Sequence, residues 1–560
     1  MSRIQWTGFL GENRAVEPLL LKEGLCTVSL NQKPGRGDLR PWRAPLAVAS
    51  VPTGRKTIYR MGRDVASDSV YWLSWPTYVH AMRSFSTTDT TERTFFTGDG
   101  PPKVTDNTMA LSSTPYPTTS RPMGLPVPAT PCVVATDTGT FTGDPTDYYY
   151  VYTYVNDWGW ESAPSPVSLL NTRPTDATAS IGSLAAPPSG NYNIATIRVY
   201  RTQADGAGSA DFFFLREISI GTATTADDQR QLGRALVTLG WFPPPDDLSF
   251  LTPMWNGMAA GISEGVGRVC EQYAEYAWKV ENDIVPPEGK AVALGVFEQT
   301  MIVLTTARPV VVAGTSPDSL DQQPLAFAQA CVAPQSVVSM GSGVAWASND
   351  GLCWYGAGGA RILTEQIMLR EDWLALNPST ITGRLYEGFY FGSYLSGGVR
   401  KGFVIDPRNP TGMYFLDVGF EAMHFDDLQD QLYVLDGTSV KRWDAGGTFL
   451  TCKARSRVFR LPAEDSFSVG EVIAKQFPVT LRLDALDLKP ELVTRTMAKR
   501  PGVFTSPDAT TLRRTVTVTS EEPFRLPSLV AAKWQIESEG VNPVQAFSVA
   551  SDMDELVTGQ

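Results

Sequence analysis

An apolar, strand-like core recurs about every 43 residues through the second half of this 560-residue chain. Its copies are Met258–Ile262, Met301–Leu304, Val344–Ser348, Phe389–Ser393 and Leu432–Asp436, with starts separated by 43, 43, 45 and 43 residues. A repeat of that length suits a propeller blade. Turn signals follow several cores: Asn349-Asp350-Gly351 precedes Leu352–Tyr355, and Asp436-Gly437 precedes Thr438–Val440. Asp-Gly between alternating apolar residues favours a hairpin, because glycine takes the positive φ that a tight turn demands. One hairpin cannot bury its own apolar face, so blades must stack around an axis, and about four or more are needed. The repeat thus restricts the chain to a radial β architecture.

The length exceeds what one hydrophobic core fills, so two to four domains are expected. The 48 glycines and 41 prolines exceed the average share of roughly 12% and fit a turn-rich, all-β chain. Four segments follow from composition. Residues 1–127 form an amino-terminal β-rich segment, contributing to a platform and to the first propeller strands. Residues 128–242 turn to Thr, Asp and Tyr, with strand runs Tyr148–Val155, Thr196–Arg201 and Phe212–Ile218; they read as an inserted immunoglobulin- or fibronectin-like sandwich. Pro243-Pro244-Pro245 marks its exit, since three prolines cannot continue a ladder. Residues 243–445 hold the propeller repeats. Residues 446–560, in which Phe-Arg-Leu-Pro occurs at 459–462 and 524–527, read as a carboxy-terminal β-rich platform. Only Val269–Asp283 and Leu363–Asn377 look helical, the second closed by Pro378.

The chemistry is sparse. His80 and His424 are the only histidines, which nearly removes histidine catalysis and the commonest zinc ligand. His80 is placed after an aromatic strand and His424 on a loop, each in a structural role. Six scattered cysteines lack any C-x-x-C spacing and read as free buried thiols of a reducing compartment. No P-loop, zinc-protease or nucleophile-elbow motif occurs. The pairs Asp227-Asp228, Asp246-Asp247 and Asp426-Asp427 lack the spaced ligand run of a calcium loop and read as solvated loop charge. Ser348–Trp354 approaches the sialidase turn motif but is one residue short before its glycine, so it reads as a plain hairpin. No metal or cofactor is expected. The amino terminus, Met1–Trp6, lacks a signal-peptide core, and no apolar run reaches the roughly 20 residues that would span a bilayer. A net charge of −12 argues against tight attraction to phosphate backbones.

Three stretches carry a family resemblance: Gly37-Asp38-Leu39-Arg40-Pro41-Trp42, then Asp89 to Lys103 with Glu92, Arg93, Gly98, Asp99, Gly100 and Pro101, and Ile197–Thr202. Together with the Phe-Arg-Leu-Pro pair and the closing Ala550–Leu556, they resemble the tail nozzle, or tail tubular protein B, of short-tailed bacteriophages. The resemblance implies a structural virion protein, made in the host cytoplasm and placed in the tail. It implies a homohexameric tube docked on an adaptor ring, with tail fibres or spikes as neighbours and double-stranded DNA passing through its lumen. It implies no catalytic residue and no stable membrane insertion, and the acidic balance of the chain agrees with it, because a channel for a phosphate backbone should repel rather than grip. Two alternatives from other classes stay open, a receptor-binding protein and a glycan-degrading tail enzyme. The latter needs only two suitably separated carboxylates.

Overall fold

The computed structural model describes residues 3–62, 65–204, 210–489, 495–496, 503–505, 510–527 and 529–557. Met1 and Ser2 of the amino-terminal run lie outside them; Arg3–Thr7 is a strand. The fold is all-β, of the propeller class, with an inserted sandwich and a β-rich platform. Two compact units make it up: residues 1–60, 65–72 and 327–560, and residues 61–64 and 73–326.

The second unit holds three four-stranded antiparallel blades. The first is His80–Arg83, Thr94–Thr97, Lys103–Thr105 and Arg121–Pro122. The next is Ser249–Pro253, Ala259–Ser263, Val266–Glu271 and Ala274–Trp278. The last is Ala291–Phe297, Thr300–Thr305, Val310–Ala313 and Asp321–Pro324. Each recurring core lies in the second strand of its blade. That position explains why it is continuously apolar: Met301, Ile302, Val303 and Leu304 are all fully buried, as a strand covered on both faces requires.

The segment Val269–Asp283, expected to be helical, is instead the last two strands of the middle blade plus a short 3-10 turn at Val280–Asn282. Helix-compatible residues such as Glu, Ala and Lys are overruled because Cys270 and Ala277 are wholly buried in the blade and Tyr273 turns the hairpin with φ of 56°; tertiary context outweighs a weak propensity. Likewise, within Leu363–Asn377 only Arg370–Leu374 is α-helical.

The insert between the first two blades is a sandwich. One sheet pairs Tyr150–Asn156 with Ile194–Ala204 and Ala210–Ser219, and another pairs Val133–Thr136, Ala179–Gly182 and Thr224–Asp227. Tyr150, Tyr152, Tyr154, Ile181, Ile197 and Val199 belong to its core, so alternate residues of the tyrosine strand face inward.

The first unit holds the remaining blades. Val338–Ser339, Gly343–Ala347, Leu352–Gly356 and Gly359–Ile362 form one, and Thr382–Tyr386, Phe389–Ser396, Val399–Ile405 and Tyr414–Leu416 another. Met423–Asp426, Gln431–Asp436 and Ser439–Arg442 are completed by Leu46–Ser50, paired through Leu46 opposite Arg442. An amino-terminal strand thereby closes a blade built from residues nearly 400 positions later. The platform also joins the two chain ends. Arg3–Thr7 pairs with Val544–Ala550, and Cys26–Leu30 lies between Cys452–Ser456 and the blade strand Tyr414–Leu416. One hydrogen-bonded sheet therefore runs from a blade into the platform, over a core that includes Trp6, Phe9, Leu481, Trp534 and Phe547.

Candidate functional site

The family-like positions fall into separate places. In the first unit Trp42 is fully buried, 5.6 Å from Trp443 and 6.2 Å from Tyr386 between ring centroids, with the Lys33 ammonium 4.8 Å from its ring. Pro41 bridges to Gln32, and the Arg40 carbonyl accepts from the Lys33 backbone at 2.6 Å. The three residues fix how the chain crosses from platform to blade. In the second unit Glu92 accepts from the Gly62 backbone at 2.8 Å, and Arg93 lies 5.6 Å from the Trp158 ring with its backbone held by Asp89 at 2.7 Å. Gly98 to Pro101 form the hairpin turn of the first blade. Gly98 has φ of 102°, and a Cβ there would stand 2.2 Å from the Tyr78 carbonyl oxygen, so only glycine fits. Asp99 pairs with Lys103 at 2.9 Å, while Gly100 and Pro101 are turn residues. These contacts are structural, and within neither unit do they converge on a cleft.

The histidines sit on strands. His80 opens Thr94's partner strand, with its ring 4.0 Å from Phe250. His424 lies within Met423–Asp426 rather than on a loop, packed against Tyr59 and Trp72. All six cysteines are free and buried, and burial pushes Cys132 up to about 11 and Cys331 and Cys353 up to about 12. Among the described residues no group of three or more His, Cys, Asp or Glu side chains is arranged to hold a metal.

One acid in each of two pairs read as solvated loop charge is corrected, while Asp228 and Asp427 are exposed. Asp426 is buried and bonds to Arg60 at 2.8 Å, itself buried. Asp227 is fully buried and accepts from Tyr150 at 2.6 Å, from Arg173 at 2.5 Å and from Arg201 at 2.7 and 2.8 Å. Burial raises the carboxyl of Asp227, but these donors more than offset it and hold its pKa below the usual value; such a charge survives in a core only when fully paired. Ser348–Trp354 is a hairpin, with Asp350 held by Arg370 at 2.7 Å and Gln329 at 2.9 Å.

A cleft of about 280 Å³ lies in the second unit. Glu281, Asp283, Asp318, Asn282 and Gln322 supply its polar lining, and Ile284, Val312 and Leu320 its apolar lining. Burial raises the Asp283 carboxyl above its ordinary range, with Arg268 acting against it through a direct ion pair. A carboxyl shifted upward beside other acids is the raw material of general acid chemistry. Glu281 and Asp283 were hidden in the sequence by the helical reading of that stretch.

No family model and no curated protein matches the chain. Similar solved structures include AztD from Citrobacter koseri, 12% identical over 70% of this chain and 99% of that one, with a TM-score of 0.25. BBS1N in complex with ARL6DN is 10% identical over 50% and 88% of the two chains, with a TM-score of 0.25. The exo-beta-1,3-galactanase of Phanerochaete chrysosporium is 9% identical over 91% and 100%, with a TM-score of 0.18. At these scores the similarities carry no argument about function.

Proposed function

We propose that this chain is a structural virion protein, the distal tail nozzle of a short-tailed bacteriophage, acting as a gated conduit for the genome and internal proteins. In this reading it assembles as a homohexamer, docks beneath an adaptor ring, carries fibres or spikes outside and lets double-stranded DNA pass. The supporting observation is the platform, in which both ends of the chain share one core and one hydrogen-bonded sheet continues into a blade. In this reading the platform is the docking surface, tied to the blade by the backbone hydrogen bonds of the shared sheet. The test is mass measurement with negative-stain imaging at low and high concentration. A six-fold ring with a central hole is expected; a stable trimer would replace the nozzle by receptor binding.

The acidic cleft favours one competing reading, cleavage of a surface glycan. It predicts reducing-sugar release from host envelope polysaccharide that Asp283→Asn abolishes. Reproducible turnover lost in that variant would overturn the purely structural assignment.

A further inference from the structure

Tyr150–Asn156 is the outer strand of its sheet, and its edge is covered by a segment that is not a strand. The segment 161–170, Glu-Ser-Ala-Pro-Ser-Pro-Val-Ser-Leu-Leu, runs along it with serines three residues apart. Ser162, Ser165 and Ser168 donate their backbone N–H groups to the carbonyls of Tyr154, Tyr152 and Tyr150, each at 2.9 Å. In return, the backbone N–H groups of the same tyrosines donate to the serine hydroxyls at 3.0, 3.2 and 3.0 Å. Each hydroxyl then donates to the carbonyl of the following residue, Ala163, Pro166 or Leu169.

The hydroxyl stands where a strand carbonyl would accept. Three residues of the segment therefore match two residues of the strand, and the segment satisfies the edge without being a strand itself. Its own outer side is a poor template, because Pro164 and Pro166 have no N–H to offer. All three serines are at most 5% exposed, whereas Leu169 is 89% exposed. The opposite edge of the sheet is also covered, with Gly233, Arg234 and Leu236 bonded to Phe212 and Phe214.

The strand under the segment needs such cover. Tyr150–Asn156 contains no charge, proline or glycine, the composition of a segment prone to pair with copies of itself. Its tyrosines alternate about Tyr152, so antiparallel pairing with a second copy sets tyrosine opposite tyrosine, a favourable cross-strand contact.

We propose that residues 161–170 are an edge guard for the sandwich, and that the strand Tyr150–Asn156, once uncovered, pairs with the same strand of a second copy of this chain. The test uses the full chain carrying Ser162→Ala, Ser165→Ala and Ser168→Ala. Amide exchange at Tyr150, Tyr152 and Tyr154 should accelerate by roughly ten-fold as their acceptors are lost. Concentration-dependent association beyond the wild-type state should accompany it. The corresponding triple Ser→Thr variant keeps the hydroxyls and should restore protection. If the triple alanine variant does not fold, Ser165→Ala alone gives the same readout at Tyr152. Unchanged exchange overturns the guard, and accelerated exchange with wild-type assembly overturns the self-pairing.

Discussion

Asp227 in the sandwich and Asp484 in the platform are both fully buried carboxylates ringed by arginines, but the arginines differ. Around Asp227, Arg173 and Arg201 are only 2% and 10% exposed. Around Asp484, Arg455 and Arg513 are 30% and 27% exposed, bonded at 2.9 Å and at 2.7 and 2.8 Å. The first cluster lies inside the sandwich, where its charges are largely withdrawn from water. The second lies on the sheet face away from the platform core, with Glu537 beneath Arg482 and Lys453, so the cations cover the carboxylates and keep contact with solvent. Equal carboxylate burial therefore does not mean equal dependence on the partner, because what matters is where the remaining charge goes when one member is removed.

Asp227→Ala sharpens this most. It strands two buried guanidinium groups and should cost about 3–5 kcal/mol, read as the fall in the sandwich's unfolding transition by calorimetry. Asp484→Ala leaves cations that water can reach, and should cost less, about 1–3 kcal/mol. Equal losses in the two variants would break the comparison. The pH dependence adds a second check. Because the folded pKa of Asp227 lies below its ordinary 3.8, its contribution is complete above that value and is lost as pH falls through the folded pKa. The stability gap between wild type and Asp227→Asn should close in acid, and a gap that widened there would contradict the pairing. Asp426, held down by Arg60 and His424 despite burial, should follow the same sign.

Smaller effects mark the solvated end of the scale. Arg370→Ala breaks a pair whose side chains are 61% and 42% exposed and should cost at most about 0.5 kcal/mol by denaturant titration. A thiol reagent at neutral pH should leave the cysteines unmodified until the chain unfolds, since burial raises their pKa values and only the thiolate reacts. Rapid labelling of the native chain would refute the burial.

Much of the fold was legible because its signals are local. Met301–Leu304 is apolar on both faces wherever a blade is built, so the period survives in the sequence. The candidate site was less legible. The cleft acids Glu281 and Asp283 sat in a stretch whose composition suits a helix, and only the burial of Cys270 and Ala277 against neighbouring strands reveals a hairpin. The serine spacing of the edge guard was present in the sequence, yet a three-residue rhythm resembles neither a strand nor a helix.

By itself the sequence determined the blade period, the turn positions and the scarcity of histidine chemistry, since each depends on residues a few positions apart. Tertiary structure decided which charges are buried and which ends meet. Arg60 and Asp426 pair across 366 residues, Leu46–Ser50 completes a blade ending at Arg442, and Arg3–Thr7 joins Val544–Ala550. The cost of burying a charge or leaving a strand edge open is set by partners the fold brings near, and no local pattern encodes where those partners will be.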